Sequence, residues 1–112
     1  MHLILTGNAK THQSTTEGYY LLAANNSNGY PYWKQINGDY AIWFQISSHT
    51  GWTVGDRDFL GQDYSGAIIG PNDFTVWPNM ISDVYHYWDG SNYQKASTSE
   101  IVFQECKLYV EK

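Results

Sequence analysis

Cysteine is nearly missing from this chain. Cys106 is the only one in 112 residues, so no internal disulfide can form. That excludes the small secreted folds held by disulfides and leans toward a reducing compartment. Cys106 lies in Ile101-Val102-Phe103-Gln104-Glu105-Cys106, with no cation or base beside it to favour the thiolate. It reads as a plain strand residue. Positive charge is scarce too: six Lys plus Arg stand against eleven Asp plus Glu, for a net charge of -5. Nucleic-acid binding needs a basic footprint and anionic membrane surfaces attract one, so neither partner is expected. No apolar run approaches the ~20 residues of a membrane span. The opening Met1-His2-Leu3-Ile4-Leu5-Thr6 is too short for a signal peptide and reads as an edge strand.

Charged residues make up only 15% of the chain, and Ala, Glu, Lys, Arg and Leu are few. Those are the helix formers, so long helices are not expected. No stretch keeps a 3.6-residue apolar period over three turns; at most one helical turn is expected, around residues 78–83.

Catalytic signatures are absent as well. There is no Gly-x-Ser-x-Gly, no Walker loop and no dinucleotide fingerprint. Asp83 and Asp89 make a glycosidase pair only on paper. No nucleophile, base and orienting group can be named together, so the chain is not read as an enzyme. The histidines His2, His12, His49 and His86 are scattered without metal-ligand spacing.

What the chain does have is aromatic residues: five Trp, ten Tyr and four Phe. They sit beside turn signals, as in Gly29-Tyr30-Pro31-Tyr32-Trp33, Tyr40-Ala41-Ile42-Trp43-Phe44, Gly51-Trp52 and Tyr85-His86-Tyr87-Trp88-Asp89-Gly90. Aromatics favour strands, and Asn-Gly or Asp-Gly pairs favour hairpins. Strands are expected near residues 3–6, 19–24, 30–36, 40–47, 52–55, 67–69, 74–77, 81–88, 93–95 and 100–111. Turn clusters fall at 25–29 and 70–73. A type I′ turn is expected at Asn37-Gly38 and another turn at Asp89-Gly90-Ser91-Asn92. One strand per 8–12 residues predicts a single all-β domain over residues 1–112. The expected form is a meander-rich antiparallel sandwich or small barrel of about 7–9 short strands.

In the clearest strand, alternation puts Tyr40, Ile42, Phe44 and Ile46 toward the core and Trp43 on the opposite face. Trp52 and Trp88 read as core. A domain this small cannot hide every ring, so some should form a binding surface. Trp33, Trp43, Tyr87 and Tyr93 are the candidate rings, because Trp and Tyr stack on sugar faces and anchor interfaces. Asn28, Asp89 and Asn92 are the candidate hydroxyl partners in the turns. Cross-strand pairing that only stabilises the sheet is the competing account of the rings.

A second motif is Gly55-Asp56-Arg57-Asp58-Phe59-Leu60-Gly61-Gln62-Asp63-Tyr64-Ser65-Gly66. Asp56, Asp58 and Gly61 match the first, third and sixth positions of a calcium-binding helix-loop-helix loop. Leu60 and Ala67 break that pattern. Asp56, Asp58 and Asp63 are the candidate ligands of a looser calcium site. A solvated acidic loop, part-neutralised by Arg57, is the favoured reading, since calcium needs six or more oxygens. Asn25-Asn26-Ser27 is a formal glycosylation sequon in an expected loop.

The frame as a whole resembles small all-β modules of large multidomain proteins in algae, protists and marine invertebrates. The matching residues are Gly18 and Tyr20; Asn28, Gly29, Pro31 and Tyr32; Tyr40 to Phe44; Trp52, Val54 and Gly55; and Trp88, Asp89 and Gly90. The resemblance implies a non-catalytic adhesion or recognition module and carries over no functional residues. Composition points the same way, since neutral polar, aromatic-rich surfaces are common in lectins, binding modules and paratopes. The function expected is carbohydrate recognition without a cofactor, calcium aside. A protein-interaction or self-assembly module is the alternative, and a small hydrolase the third.

Overall fold

The computed structural model describes residues 2–7, 14–27, 30–46, 51–60, 66–70, 78–80, 85–96 and 101–106. They form nine strands: β1 (His2–Thr6), β2 (Gly18–Ser27), β3 (Tyr30–Gln35), β4 (Tyr40–Gln45), β5 (Gly51–Asp56), β6 (Ile68–Ile69), β7 (His86–Trp88), β8 (Tyr93–Lys95) and β9 (Val102–Cys106). All pair antiparallel in one sheet of order β8-β7-β6-β5-β4-β3-β2-β1-β9. Eight strands follow one another as a meander, and β9 returns beside β1, so the first strand, expected at an edge, lies inside the sheet between β2 and β9. The sheet curls into a half-barrel, the all-β antiparallel architecture expected of the aromatic and turn pattern. Three short 3-10 turns, Ser14–Thr16, Arg57–Phe59 and Pro78–Met80, are the only helical structure among the described residues.

The concave face holds the core. Leu3, Leu5, Tyr20, Trp33, Ile42, Phe44, Trp52, Val54, Ile68, Tyr85, Ala96, Ile101 and Phe103 form one buried cluster. Strand register explains the set. Leu22 pairs with Trp33, Trp33 with Ile42, Ile42 with Val54 and Val54 with Ile68, so these side chains share one face. Trp52 sits edge-on to Trp33 at 5.5 Å and to Phe44 at 5.2 Å between ring centroids. Tyr30 tilts over Phe44 at 4.4 Å. Such pairs add about 0.5–1.5 kcal/mol each beyond the area they bury.

Two buried phenols are tied to backbone carbonyls. Tyr20 Oη donates to Thr16 O, and Tyr85 Oη donates to Pro78 O at 2.7 Å. Burial pushes both phenols well above the ordinary tyrosine range; Tyr40 adds to the effect at Tyr20.

Four local expectations need correction. Ile46 lies beyond the end of β4 and is 54% exposed rather than core-facing. Asn25–Ser27 extends β2 instead of forming a loop, because a register shift between Leu22 and Asn26 lets Asn26 pair with Pro31 and Ser27 with Tyr30. The turn at Asn37-Gly38 is not type I′: Asn37 has φ 57°, and Gly38 lies outside the left-handed region that type I′ also requires there. The Gln35 side chain explains the departure. It folds under the turn, where its Oε1 accepts from Tyr40 N at 3.2 Å. Finally, the β4–β5 pair is covered on both faces. Ala41, Trp43, Gln45 and Thr53 on the convex side are as buried as Ile42 and Phe44 on the concave side. Strand alternation there separates two buried faces rather than core from solvent.

The short turn expected within residues 78–83 is seen at Pro78–Met80, but it is not the single helical turn expected: Ser14–Thr16 and Arg57–Phe59 add two more, the latter capped by the Asp56 side chain. The expected strand at 74–77 lies outside the described residues, as do the first residues of the strand expected at 81–88.

Candidate functional site

The β7–β8 hairpin projects the most exposed tryptophan among the described residues. Its four-residue connection is Asp89-Gly90-Ser91-Asn92. Asp89 N donates to Asn92 O at 3.0 Å, closing the turn. Asp89 Oδ1 accepts from Ser91 N and from Asn92 N, each at 2.8 Å, which is the local bonding Asp favours in turns. Asp89 Oδ2 accepts from Gln94 Nε2 at 2.8 Å. Gly90 takes φ 102°, a backbone state that disfavours side chains, with open space around it.

The register Trp88–Tyr93, Tyr87–Gln94 and His86–Lys95 sorts the hairpin's side chains by face. Trp88 and Tyr93 oppose each other on the convex face, with ring centroids 5.1 Å apart and planes at 67°. Trp88 is 38% exposed. His86 and Lys95 form the next rung on that face. Tyr87 points the other way and packs, half-buried, against the core cluster. The hairpin is anchored beside β6: Trp88 N donates to Ala67 O at 2.8 Å, and Tyr93 Oη donates to Gly66 O at 2.7 Å. Gly66 is itself pressed on β5, where a Cβ would meet the Thr53 side chain and Val54 O. The rung is therefore held on the sheet rather than on a free loop.

The candidate residues thus separate. Asp89, Asn92 and Tyr93 come together at the hairpin. Trp33 and Trp43 are wholly buried and cannot stack on a ligand from solvent. Trp33 is part of the aromatic core; Trp43 is enclosed on the covered convex side of β4. Tyr87 lies on the opposite face from Tyr93. Asn28 lies outside the described residues.

Trp88 was expected in the core, and the structure corrects this. The corrective signal is in the sequence. Trp88 and Tyr93 flank the Asp89–Asn92 turn symmetrically, so a hairpin must place them opposite each other and put Tyr87 on the reverse face.

The acidic motif resolves into a capped turn. Asp56 ends β5, and its Oδ1 accepts from Asp58 N at 2.9 Å, capping the 3-10 turn Arg57–Phe59. Asp58 is exposed. Asp63 lies outside the described residues. Among the described residues no three His, Cys, Asp or Glu side chains converge as a metal site would require. Of the paper carboxylate pair, Asp89 has both oxygens engaged by its turn, and Asp83 lies outside the described residues.

No family model, curated protein or solved structure matches this chain.

Proposed function

We propose that the domain is a non-catalytic recognition module that binds carbohydrate through the convex face of the β7–β8 hairpin. The observation that carries this reading is the Trp88–Tyr93 rung, with Trp88 38% exposed at 5.1 Å from its partner. An indole held edge-on to a tyrosine offers a flat apolar face, and the C–H face of a pyranose fits such a face. Polar residues adjoin it in sequence: Ser91 and Asn92, in the turn between the two rings, are both exposed. The turn bonds hold the backbone under them in one conformation, so little ordering cost falls on binding. The resemblance to adhesion and recognition modules supports the same reading.

The test is a glycan-array screen of the labelled domain and of Trp88→Ala, with calcium and with a chelator. A specific signal lost in Trp88→Ala and kept in chelator is expected. A signal that survives Trp88→Ala would move the site elsewhere. Loss in chelator would bring Asp56, Asp58 and Asp63 into it.

A second reading has its own observation. Tyr19, Leu21 and Ile36 are exposed on the convex side of β2 and at the end of β3, with Tyr19 46% accessible. Contiguous apolar patches of a few hundred Å² mark protein interfaces. Under that reading the domain self-associates or docks a protein there. Sedimentation that shifts with concentration, and is cured by Leu21→Lys, would favour it.

A further inference from the structure

We infer that the saccharide taken by the β7–β8 face is an acidic one, bearing a carboxylate or a sulfate, with its anion held by Lys95 and His86. The inference rests on the saccharide-recognition reading above and adds the ligand's charge. Three observations on that face carry it.

The first is placement. His86 pairs with Lys95 directly behind the Trp88–Tyr93 rung. Side chains two residues apart on a strand share a face and stand about 7 Å apart. A sugar stacked on Trp88 would therefore bring an exocyclic acid group to the Lys95–His86 rung. Lys95 is exposed and His86 half-buried. Lys95 supplies an ammonium with three donors, and His86 supplies a ring N–H.

The second is the scarcity of cations. The chain has six Lys plus Arg and a net charge of -5, so a lysine beside the exposed indole is not one among many. The overall negative charge does not decide binding at this distance. At physiological salt the Debye length is about 8 Å, so the nearest charges set the field at the rung.

The third is how the nearest acid is handled. Asp89 adjoins Trp88, yet its carboxylate is turned into the hairpin and takes donors from Ser91 N, Asn92 N and Gln94 Nε2. Gln94 belongs to the face opposite Lys95. The bond to Gln94 thus draws the negative charge away from the rung where the ligand's anion would sit.

The experiment is calorimetric titration of the whole domain with three oligosaccharides of equal length: an oligouronate, a sulfated galactan fragment and a neutral glucan fragment. Each is run against the native chain, Lys95→Gln, His86→Gln and Trp88→Ala. One or both acidic sugars should bind at least about tenfold tighter than the neutral one, since hydrogen bonds to charged groups are stronger than those between neutral ones. Lys95→Gln should erase most of that preference and flatten its salt dependence, with an unchanged unfolding midpoint. His86→Gln should weaken acidic sugars more than the neutral one. Trp88→Ala should weaken all three. Which acidic sugar wins distinguishes carboxylate from sulfate. Equal binding of neutral and acidic sugars, untouched by Lys95→Gln, overturns the inference and leaves carbohydrate recognition standing. Failure of all three sugars to bind overturns both.

Discussion

The Tyr85 ring packs against Phe103 at 4.9 Å between centroids, with the planes tilted by 48°. Tyr85 leads into β7, near one end of the sheet; Phe103 is on β9, at the other end. The curl of the sheet is thus closed by side chains across its opening. The 3-10 turn Pro78–Met80 reinforces the contact, because Pro78 O accepts from Tyr85 Oη. Phe103→Ala should therefore cost about 3–5 kcal/mol, the range for deleting a buried aromatic ring. Urea unfolding would measure it. Phe103→Leu, which keeps most of the volume, should cost clearly less. A loss under 1 kcal/mol for Phe103→Ala would mean that the two ends do not depend on each other.

Trp33 and Trp43 are both fully buried, but they differ in one atom. Trp43 Nε1 is buried with no hydrogen-bond partner among the described residues. A buried donor left unpaired costs about 1–3 kcal/mol. Trimming each indole to phenylalanine removes similar volume, but only at Trp43 does it also remove an unpaired N–H. Trp43→Phe should thus be milder than Trp33→Phe by about 1–3 kcal/mol, and thermal or urea unfolding would rank them. Equal losses would sink the idea.

The hairpins were legible because their turns carry Asn-Gly and Asp-Gly pairs and their strands carry aromatics. The short buried β6 followed from the same rules. The first strand was expected at an edge, but β1 lies between β2 and β9, because a strand's position in the sheet depends on a partner about a hundred residues away rather than on local residues. The site was legible only in part. Of the candidate residues, Asp89, Asn92 and Tyr93 fall together at one hairpin because turn chemistry and a strand start are local features. Trp43 misled because alternation assigns a face but not whether that face is covered, and both faces of β4 are. Trp88 lies outside the core because its register with Tyr93 across the turn, rather than its neighbours in sequence, sets its face. Asn37-Gly38 carries the sequence of a type I′ turn, yet the glutamine two residues before it decides the geometry.

That glutamine joins three segments. Gln35 Nε2 donates to Thr15 O and to Glu17 O, each at 2.9 Å, while its Oε1 accepts from Tyr40 N. A Cβ on Gly38 would run into the Gln35 amide. Gly38→Ala should therefore destabilise the domain by about 1–3 kcal/mol, as overpacking does. In a Gln35→Ala background the obstacle is gone, so the same substitution should cost much less. A double-mutant cycle should show coupling of at least about 0.5 kcal/mol. Additive losses would mean that Gly38 is needed for backbone reasons and not for the glutamine.

Tyr20 and Tyr85 set the behaviour at high pH. Their folded phenols are raised above the ordinary 10.0 by burial. In the unfolded chain both ionise near that ordinary value, so above it the unfolded state binds fewer protons than the folded one. Stability supplied by the two neutral phenols is then complete below pH 10 and falls as the pH rises beyond it. The melting temperature should hold between pH 8 and 9.5 and drop steeply above 10. Tyr85→Phe should make the drop shallower, although it also removes the bond to Pro78 O and lowers stability at neutral pH. Absorbance titration supplies the independent readout. Of ten tyrosines, two should ionise only as the fold is lost, and their signal should track the unfolding transition. Ten tyrosines titrating together near pH 10 in a chain still folded by circular dichroism would show that neither phenol is sealed from solvent.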